Sequence, residues 1–189
     1  MSGVIGIVLV NLFTNKIFMT YLRKVLLYLP LILLSTEIVA QKMGPNFKKA
    51  EVRFKMEDYA GAIKYYTKEL ANNPENLNAY YRRGFTYGIH GNHKAAIRDY
   101  SIIVKKDPEH VWAYISRGSS RNQLKLFEEA IADFDKAIEI EPKNQEAYNN
   151  RGWAKHGLGD KKGACKDWKY SKKMGNGEAK IILSNTHCK

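Results

Sequence analysis

From Tyr59 to Leu70 apolar side chains return three and four positions apart, at Tyr59, Ala62, Ile63, Tyr66 and Leu70. This is the spacing of one helix face. The next stretch, Leu77 to Pro108, predicts a helix from about Asn78 to Ile89, a turn at His90-Gly91-Asn92 and a second helix from about His93 to Lys106. Gly91 suits the turn because it tolerates positive φ. Asp107-Pro108 ends the second helix, since a residue before proline avoids helical geometry. Val111 to Pro142 and Gln145 to Asn176 follow the same plan. The third unit has Lys125 where a turn glycine is expected. The fourth uses Gly157 and Gly159-Asp160 and lacks a closing proline. Met174-Gly175-Asn176-Gly177 breaks the chain, and Glu178 to Leu183 is expected to lie across the exposed end as a cap.

The units share a register of 34 residues. Tyr-x-x-Arg-Gly occurs at Tyr80, Tyr114 and Tyr148, and Ala-x-x-Asp-aromatic at Ala96, Ala130 and Ala164. Such a period marks a repeat array, with units at 43–76, 77–110, 111–144 and 145–176 and a cap over 177–189. The first unit is divergent and carries Ala50 in place of the glycine, as suits a terminal unit. The predicted fold class is all-α: a solenoid of about four helix-turn-helix units. Gly84, Gly118 and Gly152 are expected to let the helices of a unit approach. Tyr66, Tyr100, Phe134 and Trp168 are expected to fill the space between units. The recurring Arg and Asp form a ladder with two open pairings, Arg83 with Asp99 or Arg117 with Asp99 across units.

Charge adds little. The net charge is +12, of which +2 falls in residues 1–40 (three basic, one acidic). No basic run of five or six appears and acids are interleaved, so the reading is a solvated basic surface without a nucleic-acid partner. The N-terminus changes the picture more. Apolar runs span Val4 to Phe13 and Val25 to Leu34, each about half the ~20 residues of a membrane-spanning helix. Arg23-Lys24, the second run and the polar close to Ala40 are framed like a secretory signal that starts at Met19 and is cleaved before Gln41. The expected location is therefore exported, periplasmic or cell envelope; the alternative is an uncleaved membrane anchor. On export, Cys165 and Cys188 are expected to form a disulfide that ties the cap to the last unit. No phosphate loop, nucleophile motif or metal-ligand spacing occurs, so no catalytic residue, cofactor or metal is assigned. His90 and His93 read as surface residues.

The repeated positions resemble the tetratricopeptide repeat family, over about Gly44 to Asn176. Tyr80, Tyr114 and Tyr148 take its first aromatic place, and Tyr87 its tyrosine; Arg83, Arg117 and Arg151 replace its leucine, and Arg121 and Lys155 depart from the tyrosine. The ending Gly163 to Trp168 with Met174-Gly175 is similar to the last repeat of small exported bacterial members. The resemblance implies a right-handed superhelix that binds a peptide or protein on its concave face, as a non-catalytic scaffold. On that face it places Tyr81, Arg82, Phe85, Trp112, Ile115, Ser119, Asn122, Asn149, Trp153 and His156. A family clamp for a peptide's C-terminal carboxylates would use Phe47, Glu51, Arg82, Trp112 and Ser116, of which Arg82 alone suits an anion.

Overall fold

Residues 43–186 and 188 are described by the structure, a computed structural model. The apolar runs and the cleavage position after Ala40 lie outside these residues. The described residues form nine helices: α1 (Pro45–Lys55), α2 (Tyr59–Asn72), α3 (Leu77–Ile89), α4 (His93–Lys106), α5 (Val111–Gln123), α6 (Phe127–Ile140), α7 (Gln145–Gly157), α8 (Lys161–Lys173) and α9 (Gly177–Asn185). No strand occurs among them, and no helix among them is long and apolar enough to cross a membrane. Each helix packs on the next in sequence.

The helix starts are set locally. The side chains of Asp58, Asn76, Asn92, His110, Asn144, Asp160 and Asn176 each accept a hydrogen bond from the backbone N–H three residues on. These bonds satisfy donors that a helix cannot satisfy itself. The start of α1 is served instead by Glu69, which accepts from the Phe47 N–H at 3.2 Å. The start of α6 has Leu126 at the cap with no side-chain hydrogen bond, and Glu128 and Glu129 in its first turn. Leu126→Asn is therefore expected to raise stability by about 1 kcal/mol, read as a higher midpoint in urea. An unchanged midpoint would show that the two glutamates already meet the need.

The turns share the 34-residue register too. Gly91 and Gly159 have φ of 81° and 87°, and the equivalent Glu57 and Lys125 adopt 59° and 61°. The geometry of the stack holds these two side-chain-bearing residues in the left-handed region that favours glycine.

The repeated Tyr-x-x-Arg-Gly phrase now has a physical account. The three residues lie on one helix face, three and four apart. The guanidinium of Arg83, Arg117 and Arg151 sits over the ring of Tyr80, Tyr114 and Tyr148, at 5.6, 5.5 and 5.1 Å from the centroid. Each arginine makes a two-pronged ion pair with the Asp of its own unit. Arg83 donates to both carboxylate oxygens of Asp99 at 2.8 Å. Arg117 pairs with Asp133, and Arg151 with Asp167. Burial pushes the Asp99 carboxyl above its ordinary value, against the opposing hydrogen bond from Arg83.

The ladder also crosses between units, but not through Asp99. Arg83 reaches back to Thr67 at 3.1 Å, Arg117 to Ser101 at 3.2 Å and Arg151 to Asp135. Each arginine thus bonds residues sixteen before and sixteen after itself. Arg121 and Lys155, where the family has tyrosine, each supply a second cation to the buried Asp of their unit.

The glycines behave as the spacing implies. A Cβ on Gly84 would come 3.1 Å from the Tyr100 ring, one on Gly118 2.8 Å from Phe134 and one on Gly152 2.5 Å from Trp168. Tyr66, Tyr100, Phe134 and Trp168 are buried between the helices, with Ala62, Ala96, Ala130 and Ala164 beside them. At the C-terminal end, α9 lays Ala179 and Ile182 against Trp168. The structure joins Cys165 to Cys188, with 5.5 Å between their Cα atoms.

Candidate functional site

The first helices of successive pairs lie side by side, with α3 touching α5 and α5 touching α7. Their side chains that point away from the second helices share one face. Two grooves run along it. The first, of about 390 Å³, is lined by Tyr81 and Phe85 of α3, Trp112, Ile115, Ser116 and Ser119 of α5, and Asn150 of α7. The second, of about 460 Å³, is lined by Ser119, Asn122, Asn150, Trp153, His156 and the Glu178 of α9. Ser119 and Asn150 belong to both, so the grooves are neighbours with a common wall.

The aromatic residues are open to solvent yet held in place. Phe85, Trp112 and Trp153 remain 40%, 47% and 40% exposed. The Trp153 indole N–H donates to Glu178 Oε1 at 3.3 Å, and its ring meets the buried Trp168 edge-on at 5.2 Å. Tyr81 stacks on His110 at 5.7 Å, and its hydroxyl lies 3.3 Å from Ser116 Oγ. Ile115 is buried and forms the floor. Asn122 donates to the main-chain oxygen of Asn150 at 3.1 Å, and Asn150 donates to Ser119 Oγ at 3.4 Å. The Oδ1 of Asn122 has no hydrogen-bond partner among the described residues. Rigid aromatic rings beside amide and hydroxyl groups bind extended chain or an apolar side chain through burial, with the polar groups fixing orientation.

Two of the ten expected residues lie elsewhere. Arg82 donates through Nε and Nη2 to Glu51 at 2.7 and 2.8 Å, and the Tyr66 hydroxyl donates to the same carboxylate. Burial opposes ionisation of Glu51, but these hydrogen bonds together outweigh it and hold the carboxyl below its ordinary range. The charge of Arg82 is thereby committed within the fold, which leaves the carboxylate clamp without its one suitable cation. Asn149 is buried and donates to Glu178 Oε2 at 2.9 Å. It secures α9 and does not face the groove. Ser116 and Asn150, which do line the grooves, were not among the ten. Their signal was present, because they follow Arg82 at intervals of 34.

A family model described as tetratricopeptide repeat matches residues 47–84, and one described as TPR repeat matches 118–159. No curated protein matches the chain. Among solved structures, YrrB, titled a TPR protein with an unusual peptide-binding site, aligns with a TM-score of 0.69 at 17% identity, over 75% of this chain and 73% of that one. MamA from Desulfovibrio magneticus RS-1 aligns with a TM-score of 0.66 at 21% identity, over 69% and 73%. The second TPR domain of human RPAP3, solved in complex with an HSP70 peptide, aligns with a TM-score of 0.53 at 25% identity, over 56% and 90%. A 34-residue period with two stretches that family models recognise, folded as solved tetratricopeptide repeat proteins fold, shows that this chain carries tetratricopeptide repeats.

Proposed function

We propose that the chain is a non-catalytic scaffold that binds a peptide or protein partner in the grooves of the first helices, on the concave face of the array. The observation that carries this is the exposure of Phe85, Trp112 and Trp153 around a polar seam of Ser119, Asn122 and Asn150. Large rings left in water are the anchors that interfaces use. YrrB, which shares the fold, has an unusual peptide-binding site, and the RPAP3 domain was solved in complex with an HSP70 peptide. The test is recovery of partner from cell-envelope extract with intact protein against the double variant Trp112→Ala, Trp153→Ala. Loss of two anchors worth ~2 kcal/mol or more each should reduce recovery at least tenfold. Equal recovery by both overturns the groove assignment.

We further propose that the scaffold works outside the cytoplasm. The Cys165–Cys188 disulfide supports this, because such bonds persist in oxidising compartments. Export with cleavage leaves a chain beginning at Gln41, soluble without detergent; retention of the apolar runs leaves a membrane-anchored assembly factor that needs detergent. N-terminal sequencing of the exported protein separates the two.

A further inference from the structure

Helix α8 carries Lys161, Lys162, Lys166, Lys169, Lys172 and Lys173 in thirteen residues. At 100° per residue their directions fall within an arc of about 140°. Ala164, Asp167, Trp168 and Ser171, the buried residues of the helix, occupy the opposite side. All six lysines are exposed. The ion pairs among the described residues involve none of them. Neighbours three and four apart, such as Lys162 with Lys166 and Lys169 with Lys173, repel each other. The acid that borders this face, Asp160, caps the start of α8 by accepting from the Gly163 N–H and makes no ion pair with the six lysines.

The repeat does not require these charges. The same six places in α6 hold Phe127, Glu128, Ala132, Asp135, Ile138 and Glu139, three acids and no base. The lysine face is also shaped. Cys165 lies within the arc, so its bond to Cys188 brings the chain end alongside. Lys161, Lys162, Lys166, Lys169 and both cysteines line a depression of about 730 Å³.

We propose that the lysine face of α8 is an electrostatic docking surface for a membrane bearing acidic phospholipid. The chemistry of the face selects this partner. Its cations are all lysines, compact and strongly hydrated, which suit a diffuse anionic surface; arginine's planar fork, which recognises individual phosphates or carboxylates, is used inside this fold and not here. No aromatic ring lies within the lysine arc, so bases have nothing to stack on. No large apolar side chain lies there either, so a protein partner has no anchor. The disulfide beside the face points to an oxidising compartment, where anionic lipid and not nucleic acid is the standing polyanion.

The experiment uses full-length protein and sedimentation with two vesicle types, neutral phosphatidylcholine and phosphatidylcholine with phosphatidylglycerol. Binding through the apolar runs of residues 1–40 would not distinguish the two vesicle types, so the reading is the ratio of anionic to neutral binding. The parent chain should favour anionic vesicles roughly tenfold or more, and lose that preference as salt is raised. The quadruple variant Lys161→Gln, Lys162→Gln, Lys166→Gln, Lys169→Gln should bring the ratio to about one. A control, Lys94→Gln, Arg98→Gln, Lys105→Gln, Lys106→Gln on α4, removes equal charge and should keep it. A parent ratio near one overturns the proposal, as does an equal loss in the α4 control. Tight binding of a short DNA duplex that the α8 variant loses, with no vesicle preference, would assign the face to nucleic acid instead.

Discussion

Replacing Asp133 with alanine should cost about 3 kcal/mol of stability, and far more than replacing Asp135, two residues away. The Asp133 side chain is 4% exposed and receives hydrogen bonds from Arg117 and Arg121. Removing it leaves two guanidinium groups facing a space with no anion. Breaking a buried ion pair from one side costs roughly 3–5 kcal/mol, because the remaining charge is stranded. The arginines keep some access to water, at 14% and 22% exposure, which places the expectation at the lower end. Asp135 also meets an arginine, but its side chain is 53% exposed. Water replaces a lost partner there, and the expected cost is below about 1 kcal/mol. Urea unfolding of both variants makes the comparison. Equal midpoints would mean that the buried carboxylates do not hold the helix pairs in register.

Trp168→Ala should be as severe, at roughly 3–5 kcal/mol. The indole is buried where α7, α8 and α9 meet, against Ala164, Ala179 and Ile182. Its N–H donates to the Asn149 main-chain oxygen at 3.2 Å. Truncation removes that bond and leaves a cavity that neighbouring alanines cannot fill. Gly152→Ala should cost roughly 1–3 kcal/mol alone, by overpacking, since its new carbon would lie 2.5 Å from the indole nitrogen. In the Trp168→Ala background that carbon enters vacant space, so Gly152→Ala should cost little or nothing. A double-mutant cycle measures the difference. Strict additivity of the two penalties would show that ring and glycine do not form one packing unit.

Much of this was legible because packing in a stack obeys a fixed interval. The Arg and Asp ladder, the close approach at Gly118 and the buried row from Tyr66 to Trp168 all follow from side chains that recur in one register, which left open whether Asp99 pairs with Arg83 or Arg117. The groove was harder to read. Phe85, Trp112 and Trp153 were placed by the family resemblance, but Asn149 is covered by α9, whose docking depends on the irregular end of the array. Arg82 is captured by Glu51 across the same 31-residue step that joins Asn150 to Ser119, and only at Arg82 and Glu51 do the two side chains carry opposite charges. The second cations at Arg121 and Lys155 stood in the sequence as departures from the family tyrosine. Their role needed the buried carboxylates to be seen.

The arginine bracing is unequal along the chain, and that gives the array a direction of melting. In the first pair Lys49 and Tyr65 stand where later pairs carry arginine and aspartate, whereas the last pair has Arg151 and Lys155 on Asp167 and a covalent clasp on its cap. Nearest-neighbour stacks lose their least-supported module first. Amide protons of α1 and α2 should therefore exchange fastest, with the aromatic grooves still formed while that end has already opened.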